Sequence, residues 1–225
     1  MNADWQAVWL TIALAGVTTV VLIFLAAPLA WWLANTASRS RAIIESLVAM
    51  PLVLPPTVLG FYLLVFLNPS SLLGGLWVRV TGASLTFSFS GLVLASVIYS
   101  LPFMVQPLQN AFRGVPKSVR ESAAVLGASP LDSFFNVVLP LARRGFVTGS
   151  VLTFAHTVGE FGVVLMMGGN IPGETRVVSI AIYEHVETLN YGAAHTLALG
   201  LMGFSFLSLW LVYRVSGHSA VAVRG

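Results

Sequence analysis

His156 and Glu160 stand four residues apart in a run, 145–167, that holds no other ionisable side chain. That spacing puts both on one face of a helix. A carboxyl group at membrane depth is costly and by default marks an ion path, a proton relay or a gate; a His–Glu hydrogen bond that only ties helices together is the plainer alternative. A single His on that face falls short of a metal centre, and the chain has no cysteine, which excludes disulfides and thiolate ligands. No metal or cofactor site is expected.

Other chemistry is missing from the sequence. Lys117-Ser118 is the only Lys-Ser/Thr pair on which a phosphate-binding loop could be built, but Pro116 and Ala111 stand where that loop needs glycine. There is no nucleophile elbow and no HExxH. The polypeptide is therefore expected to bind no ATP by that route and to catalyse nothing itself. The net charge of +3 is no sign of nucleic-acid binding, because the position of the basic residues matters more than their sum.

The elements that must hold these residues are membrane spans. Charged residues make up 8% of the chain and hydrophobic ones 57%, with a mean hydropathy of +0.89, outside the range of soluble domains. Residues 5–38, 46–78 and 80–112 lack Asp, Glu, Lys and Arg, and each exceeds the roughly 20 residues that cross a bilayer core. We expect an all-α polytopic protein with about five spanning helices near 8–34, 46–67, 88–110, 145–167 and 192–213, forming one transmembrane domain over 8–213. The start, Met1 to Asp4, has no basic region and leads into too long an apolar run for a signal-peptide core, so no cleaved leader is expected. Two spans carry unusual breaks. Pro55 and Pro56 cannot donate to carbonyls four residues earlier, so the second span must kink, and with Gly60 this kink either lines a watery path or packs against protein. Pro102 and Pro107 fall in the inner half of the third.

Between the third and fourth spans lies an amphipathic elbow, within 113–144. Pro116 suits a first helical position, Gly127 the left-handed residue that ends the helix, and Ser129-Pro130 a cap and first turn for a second helix, with Asp132 as a variant capping box. Val115, Val119, Ala123 and Leu126, then Leu131, Phe134, Phe135 and Val138, recur at helical spacing. This predicts apolar faces turned inward and Arg120 and Glu121 turned out. If the elbow is cytoplasmic, Arg39, Arg41, Arg113, Lys117, Arg120, Arg143, Arg144, Arg214 and Arg224 lie inside and only Arg79 and Arg176 outside. The bias places the N-terminus outside and the C-terminus in the cytoplasm. Residues 68–87 then read as an external loop. Residues 168–191 form a second, in which Gly168 to Arg176 turn and Val178, Ile182, Tyr183 and Val186 start a short interfacial or re-entrant helix that could form part of an external gate.

The elbow resembles the EAA loop of bacterial ATP-binding cassette importer permeases: Glu-Ala-Ala, a Gly four residues after the second Ala, then nine residues and Ile-x-Leu-Pro. Here Glu121, Ala123, Gly127, Leu139 and Pro140 match, Ser122 replaces the first Ala and Val137 the Ile. The resemblance implies a type I importer permease in the bacterial inner membrane. It implies that Arg120 and Glu121 with their neighbours contact a separate ATPase subunit, and that Gly127 sets the angle between two coupling helices. It further implies two ATPases, a second copy of this chain, and a periplasmic or lipid-anchored substrate-binding protein. Residues 159–162, 169–176 with Asn170, and 181–183 are similar to molybdate permeases, with tungstate and sulfate permeases as near relatives. The alternative from a different class is an ion-coupled secondary transporter using Glu160 and His156, for which no inverted repeat is evident.

Overall fold

The computed structural model describes residues 3–216, all helical where regular. Helix α1 (Ala3–Asn35) and α5 (Phe89–Arg113) form the central pair and run parallel, Leu14 packing near Leu92 and Trp31 against Phe112, with α8 (Leu139–Gly159) against both. Around them lie α2 (Ser40–Ala49), α3 (Pro56–Leu67), α4 (Leu72–Thr81), α6 (Lys117–Val125), α7 (Pro130–Ser133), α9 (Gly162–Gly168), α10 (Val178–Glu187) and α11 (Tyr191–Ser216). Among the described residues four helices are long and apolar enough to cross a membrane, and a fifth crossing is formed if α2 and α3 are one bent span. The expected number stands, but several boundaries move.

The second span starts earlier than 46 and breaks harder than a kink. After α2 the chain makes one tight turn at Met50–Leu52, loses its ladder at Pro55-Pro56, and resumes as α3 at 109° to the first half. Two adjacent residues without an N–H leave no helical way through. The fourth span does not run unbroken over 145–167. It begins at Pro130 and ends at Gly159, with α7 and α8 joined by one wide turn at Phe134–Val138. Pro140 explains the widening: it cannot donate to the carbonyl of Asn136, and the register slips so that Leu139 N–H bonds the carbonyl of Phe134 instead. The 68–87 stretch is not a plain loop. It contains α4, capped by Ser71 Oγ accepting from Gly74 N–H at 3.0 Å and ended by Gly82 at φ +73°.

Helices pack where residues are small. In α8, Gly145 and Gly149 let the helix lie on α5, where an added Cβ would overlap Ala111 or come within 2.9 Å of Met104 Sδ. Gly60 of α3 and Gly162 of α9 work likewise, their hypothetical Cβ atoms lying 2.7 Å from Met166 Cβ and 2.8 Å from Pro56 Cβ. Two large apolar cores result, beside a small cluster of Ala7, Val178 and Ala181. One, at the elbow end, gathers Leu22, Leu33, Met104, Leu108, Phe112 and Val138; the other holds Leu14, Leu59, Leu92, Val163, Met167 and Ile180.

Polar contacts sort the two ends as the basic residues do. Glu45 accepts from Arg113 at 2.8 Å, Arg41 at 3.1 Å and Gln109 at 2.6 Å at the elbow end, while Arg176 reaches Asp4 and Glu184 at the other. Arg224, counted above with the elbow side, lies outside the described residues.

Candidate functional site

The elbow is built as its residues suggest. Gly127 takes φ +88°, Ala128 N–H reaches the carbonyl of Ala123 and Gly127 N–H that of Ala124, each at 3.0 Å, the paired bonds of a Schellman ending. Ser129 Oγ accepts from Asp132 N–H at 3.2 Å and Pro130 opens α7. The capping box is only half made. The Asp132 carboxylate takes the Asn136 amide at 2.6 Å instead of turning back, a reach one methylene shorter than that of Glu. Pro116 stands one residue before the first helical position, as the cap of α6.

The faces of the elbow differ from the prediction. Phe134 and Val138 do turn in, Phe134 packing edge-on against Trp31 with ring centroids 5.3 Å apart. Val125 and Leu126 are each 87% exposed, and Leu131 and Phe135 also lie open. The apolar stripe is thus split between the permease core and solvent. Arg120 does not pair outward with Glu121. It folds back to donate to Asn35 Oδ1 at the end of α1, its guanidinium 5.6 Å from the centre of the Trp31 ring, and Glu121 instead meets Lys117 at 3.3 Å on an exposed surface. Ser122 is exposed and Ala123 half-buried. Leu139 and Pro140 lie inside the continuous helix, past its wide turn.

His156 and Glu160 do not form a pair. The helix ends at Gly159, Glu160 turns extended at ψ 133°, and the four-residue face is lost. His156 Nδ1 lies 2.9 Å from Ser100 Oγ, and its ring stacks on Phe103 at 4.0 Å. The Glu160 carboxyl is buried with no hydrogen-bond partner among the described residues; Ser96 is near enough to interact but not in bonding geometry. The Glu160 backbone carbonyl accepts from Ser179 Oγ, which ties the break between α8 and α9 to α10. Pro56, with Gly162 against it, and Thr57 close over the same break, while Gly60 is buried under Met166. Gly60 therefore packs, whereas Pro55 is exposed at the bend.

Asn170 is exposed and donates to Glu184 Oε2 at 2.8 Å. Arg176 Nε lies 3.1 Å from the same carboxylate, and Asp4 Oδ1 is 2.9 Å from His185 Nε2. This network pins the turn at 169–176 and α10 to the start of α1, reinforced by Val178 N–H donating to Thr11 Oγ1 at 2.8 Å. The ionic network was not apparent in the sequence, since Asp4 and Glu184 are far apart along it.

Two cavities border α5 and α8, one closed in by α11 and the other by α3 and the break before α9. One of about 670 Å³ opens towards the elbow end and is lined by Gln106, Asn110, Arg144 and Thr148, with Tyr213 of α11. The other, about 530 Å³, lies against Tyr99, His156, Glu160 and Thr57. Tyr99, Gln106 and Asn110 recur at helical spacing in the third span, but so do other polar residues there, Ser96, Ser100 and Gln109, so the sequence alone did not single them out.

Comparison with known proteins gives a consistent result. Residues 26–218 match the family described as binding-protein-dependent transport system inner membrane component. The chain is 56% identical over 210 residues to the molybdenum transport system permease protein ModB of Azotobacter vinelandii, covering 93% of each, and 34% identical over 225 residues to that of Escherichia coli strain K12, covering 97% of each. Its fold is similar to a chain of a bacterial alginate ABC transporter (TM-score 0.71, 16% identity, 96% of this chain and 77% of that one) and to one of the inward-facing MetNI methionine ABC transporter (TM-score 0.69, 18% identity, 93% of both).

Proposed function

Because the chain belongs to the family of binding-protein-dependent transport system inner membrane components, we propose that it is the permease subunit of an ATP-driven molybdate importer. The observation that carries the substrate is the 56% identity, across 93% of both chains, to a molybdenum transport permease. It is a multi-pass inner-membrane protein and not itself the ATPase, and its family works with an ATPase and a substrate-binding protein.

In this reading residues 8–213 act as one transmembrane domain with the N-terminus outside. ATP is hydrolysed on a separate subunit that grips the cytoplasmic elbow. Open Val125, Leu126, Leu131 and Phe135 supply an apolar face for that subunit, since such a cluster on a surface marks an interaction site. Glu121 and Ser122 contribute a polar rim, and Gly127 sets the angle between the two short helices. Arg120 positions the elbow on α1 beside that face. A permease half of this size works as a two-fold pair, each copy engaging one ATPase. Closure of the ATPases draws the elbows together and moves the spans between outward and inward access. The loop around Asn170 and the break at Glu160 form the external gate.

The test is uptake of labelled molybdate into vesicles holding the full transporter and its binding protein, with ATP inside and tungstate or sulfate as competitors. ATP-dependent uptake, lost in Glu121→Lys while that variant still reaches the membrane, is the expected result. Normal uptake by Glu121→Lys refutes the coupling role, and tungstate or sulfate carried in preference to molybdate refutes the assigned anion.

A further inference from the structure

Where α11 stands off from α1, over α8, two cavities of about 360 and 460 Å³ lie one after the other. They share Phe154 of α8 and Phe204 of α11, whose rings meet at 5.9 Å and form the waist between them. On α11 the lining of this slot runs from Thr196 to Leu211, about 22 Å at 1.5 Å per residue, which is most of the depth of a bilayer core. Gly200 keeps the far half open, since a Cβ added there meets nothing within 4 Å. Thr11, Thr19, Thr196 and Ser208 line the slot, and each hydroxyl donates to the carbonyl four residues earlier, so none is a free donor. What remains is apolar and takes hydrocarbon in preference to water.

The elbow end differs. Ser150, the lining residue of α8 nearest the elbow, has a hydroxyl that bonds no other described residue, and Arg143 follows on the same α8 face two turns nearer the elbow. On α11, Arg214 continues the face of Leu207 and Leu211, its guanidinium 5.2 Å from the centre of the Trp210 ring. Both arginines are exposed, and neither meets a carboxylate among the described residues.

We infer that this slot seats one acyl chain of an anionic phospholipid from the leaflet on the elbow side, its phosphate held by Arg143 and Arg214 and an ester carbonyl by Ser150. Two guanidiniums at the mouth of an apolar slot between spans match both parts of such a lipid, with forked donors for the phosphate and hydrocarbon contact for the tail. A helix of a second copy would match only the slot. It would have to bring carboxylates to the arginines, and the acidic side chains on the elbow side, Glu45, Glu121 and Asp132, are each engaged within their own copy. The lipid fills the gap beside α11, which otherwise rests chiefly on α8 and α10. The inference goes beyond the importer reading and needs only the membrane setting.

The complete transporter, stripped of lipid in detergent, is titrated with phosphatidylglycerol and with phosphatidylcholine of the same acyl chains, and lipids retained per permease copy are counted by native mass spectrometry. One phosphatidylglycerol should be held in preference to phosphatidylcholine. Arg143→Gln and Arg214→Gln should each weaken it about fivefold, the worth of one basic residue at a lipid surface. Gly200→Leu should weaken it by filling the slot, whereas Phe206→Leu, exposed on another face of α11, should change nothing. Equal retention of the two lipids overturns the headgroup site, and so does phosphatidylglycerol binding unmoved by either arginine change. Binding unmoved by Gly200→Leu overturns the seat of the chain. Retention of neither lipid, as when a helix of a second copy fills the slot, overturns the whole proposal. The arginines are exposed, so their replacement leaves the fold intact. Molybdate uptake by the parent is scored separately, so a failed importer and a failed lipid site read differently.

Discussion

Replacing Gly127 with Ala should weaken the grip of the ATPase on the elbow without unfolding the membrane part. Gly127 sits at φ +88°, and a Cβ added there meets nothing within 4 Å, so the penalty is torsional and not steric. A left-handed conformation costs an L-residue about 1–2 kcal/mol. Every 1.4 kcal/mol is tenfold in an equilibrium, so if the free elbow relaxes and must be re-formed on docking, the affinity falls by about 5- to 30-fold. The residues beside it, Val125 and Leu126, are almost fully exposed, so the cost has little route into the core. Asn visits the left-handed region more readily than Ala and should restore part of the loss. The assay is titration of the purified ATPase onto the permease in lipid nanodiscs, with thermal unfolding of the permease measured alongside. Unchanged affinity in Gly127→Ala refutes the argument, as does an Asn variant that binds no better than the Ala one.

Two further outcomes test the packing and the external network. Gly145→Val should cost about 1–3 kcal/mol of stability, read as a lower thermal midpoint in detergent, because its side chain must push α8 away from Ala111 and Pro107; Gly203→Ala, in open space, should change it little. Arg176→Ala removes the cation between Asp4 and Glu184; since both acids are about a third exposed, the loss should be about 1–2 kcal/mol and smaller in high salt, and a salt-independent midpoint equal to that of the parent refutes the ionic role.

Much of the elbow was legible because its signals are local. A left-handed glycine, a serine cap and a proline in the first turn each act within a few residues, and Gly127, Ser129 and Pro130 do what their chemistry dictates. Features that depend on distant partners were not legible. Periodicity could show that Leu126 and Phe134 are both apolar, but not that one faces solvent and the other Trp31. Arg120 was expected to point outward because nothing in its neighbourhood predicts Asn35 and Trp31, which tertiary packing brings beside it. The pairing of His156 with Glu160 failed for a different reason. Four-residue spacing brings side chains together only while the helix lasts, and it ends at Gly159. The span limits shifted at Pro140 because a wide turn let the helix absorb a proline that would ordinarily mark a boundary.

That wide turn has a mechanical consequence. Because the second short helix of the elbow and the fourth span are one 30-residue helix, Pro130–Gly159, a push on the elbow is delivered to the far break by a single lever arm about 45 Å long. A tilt of about 5° at its base would sweep its tip by about 4 Å, about three-quarters of the rise of one helical turn. The five residues of the wide turn are where the arm is least stiff, so they set how much of the stroke reaches the tip and how much is lost as bending.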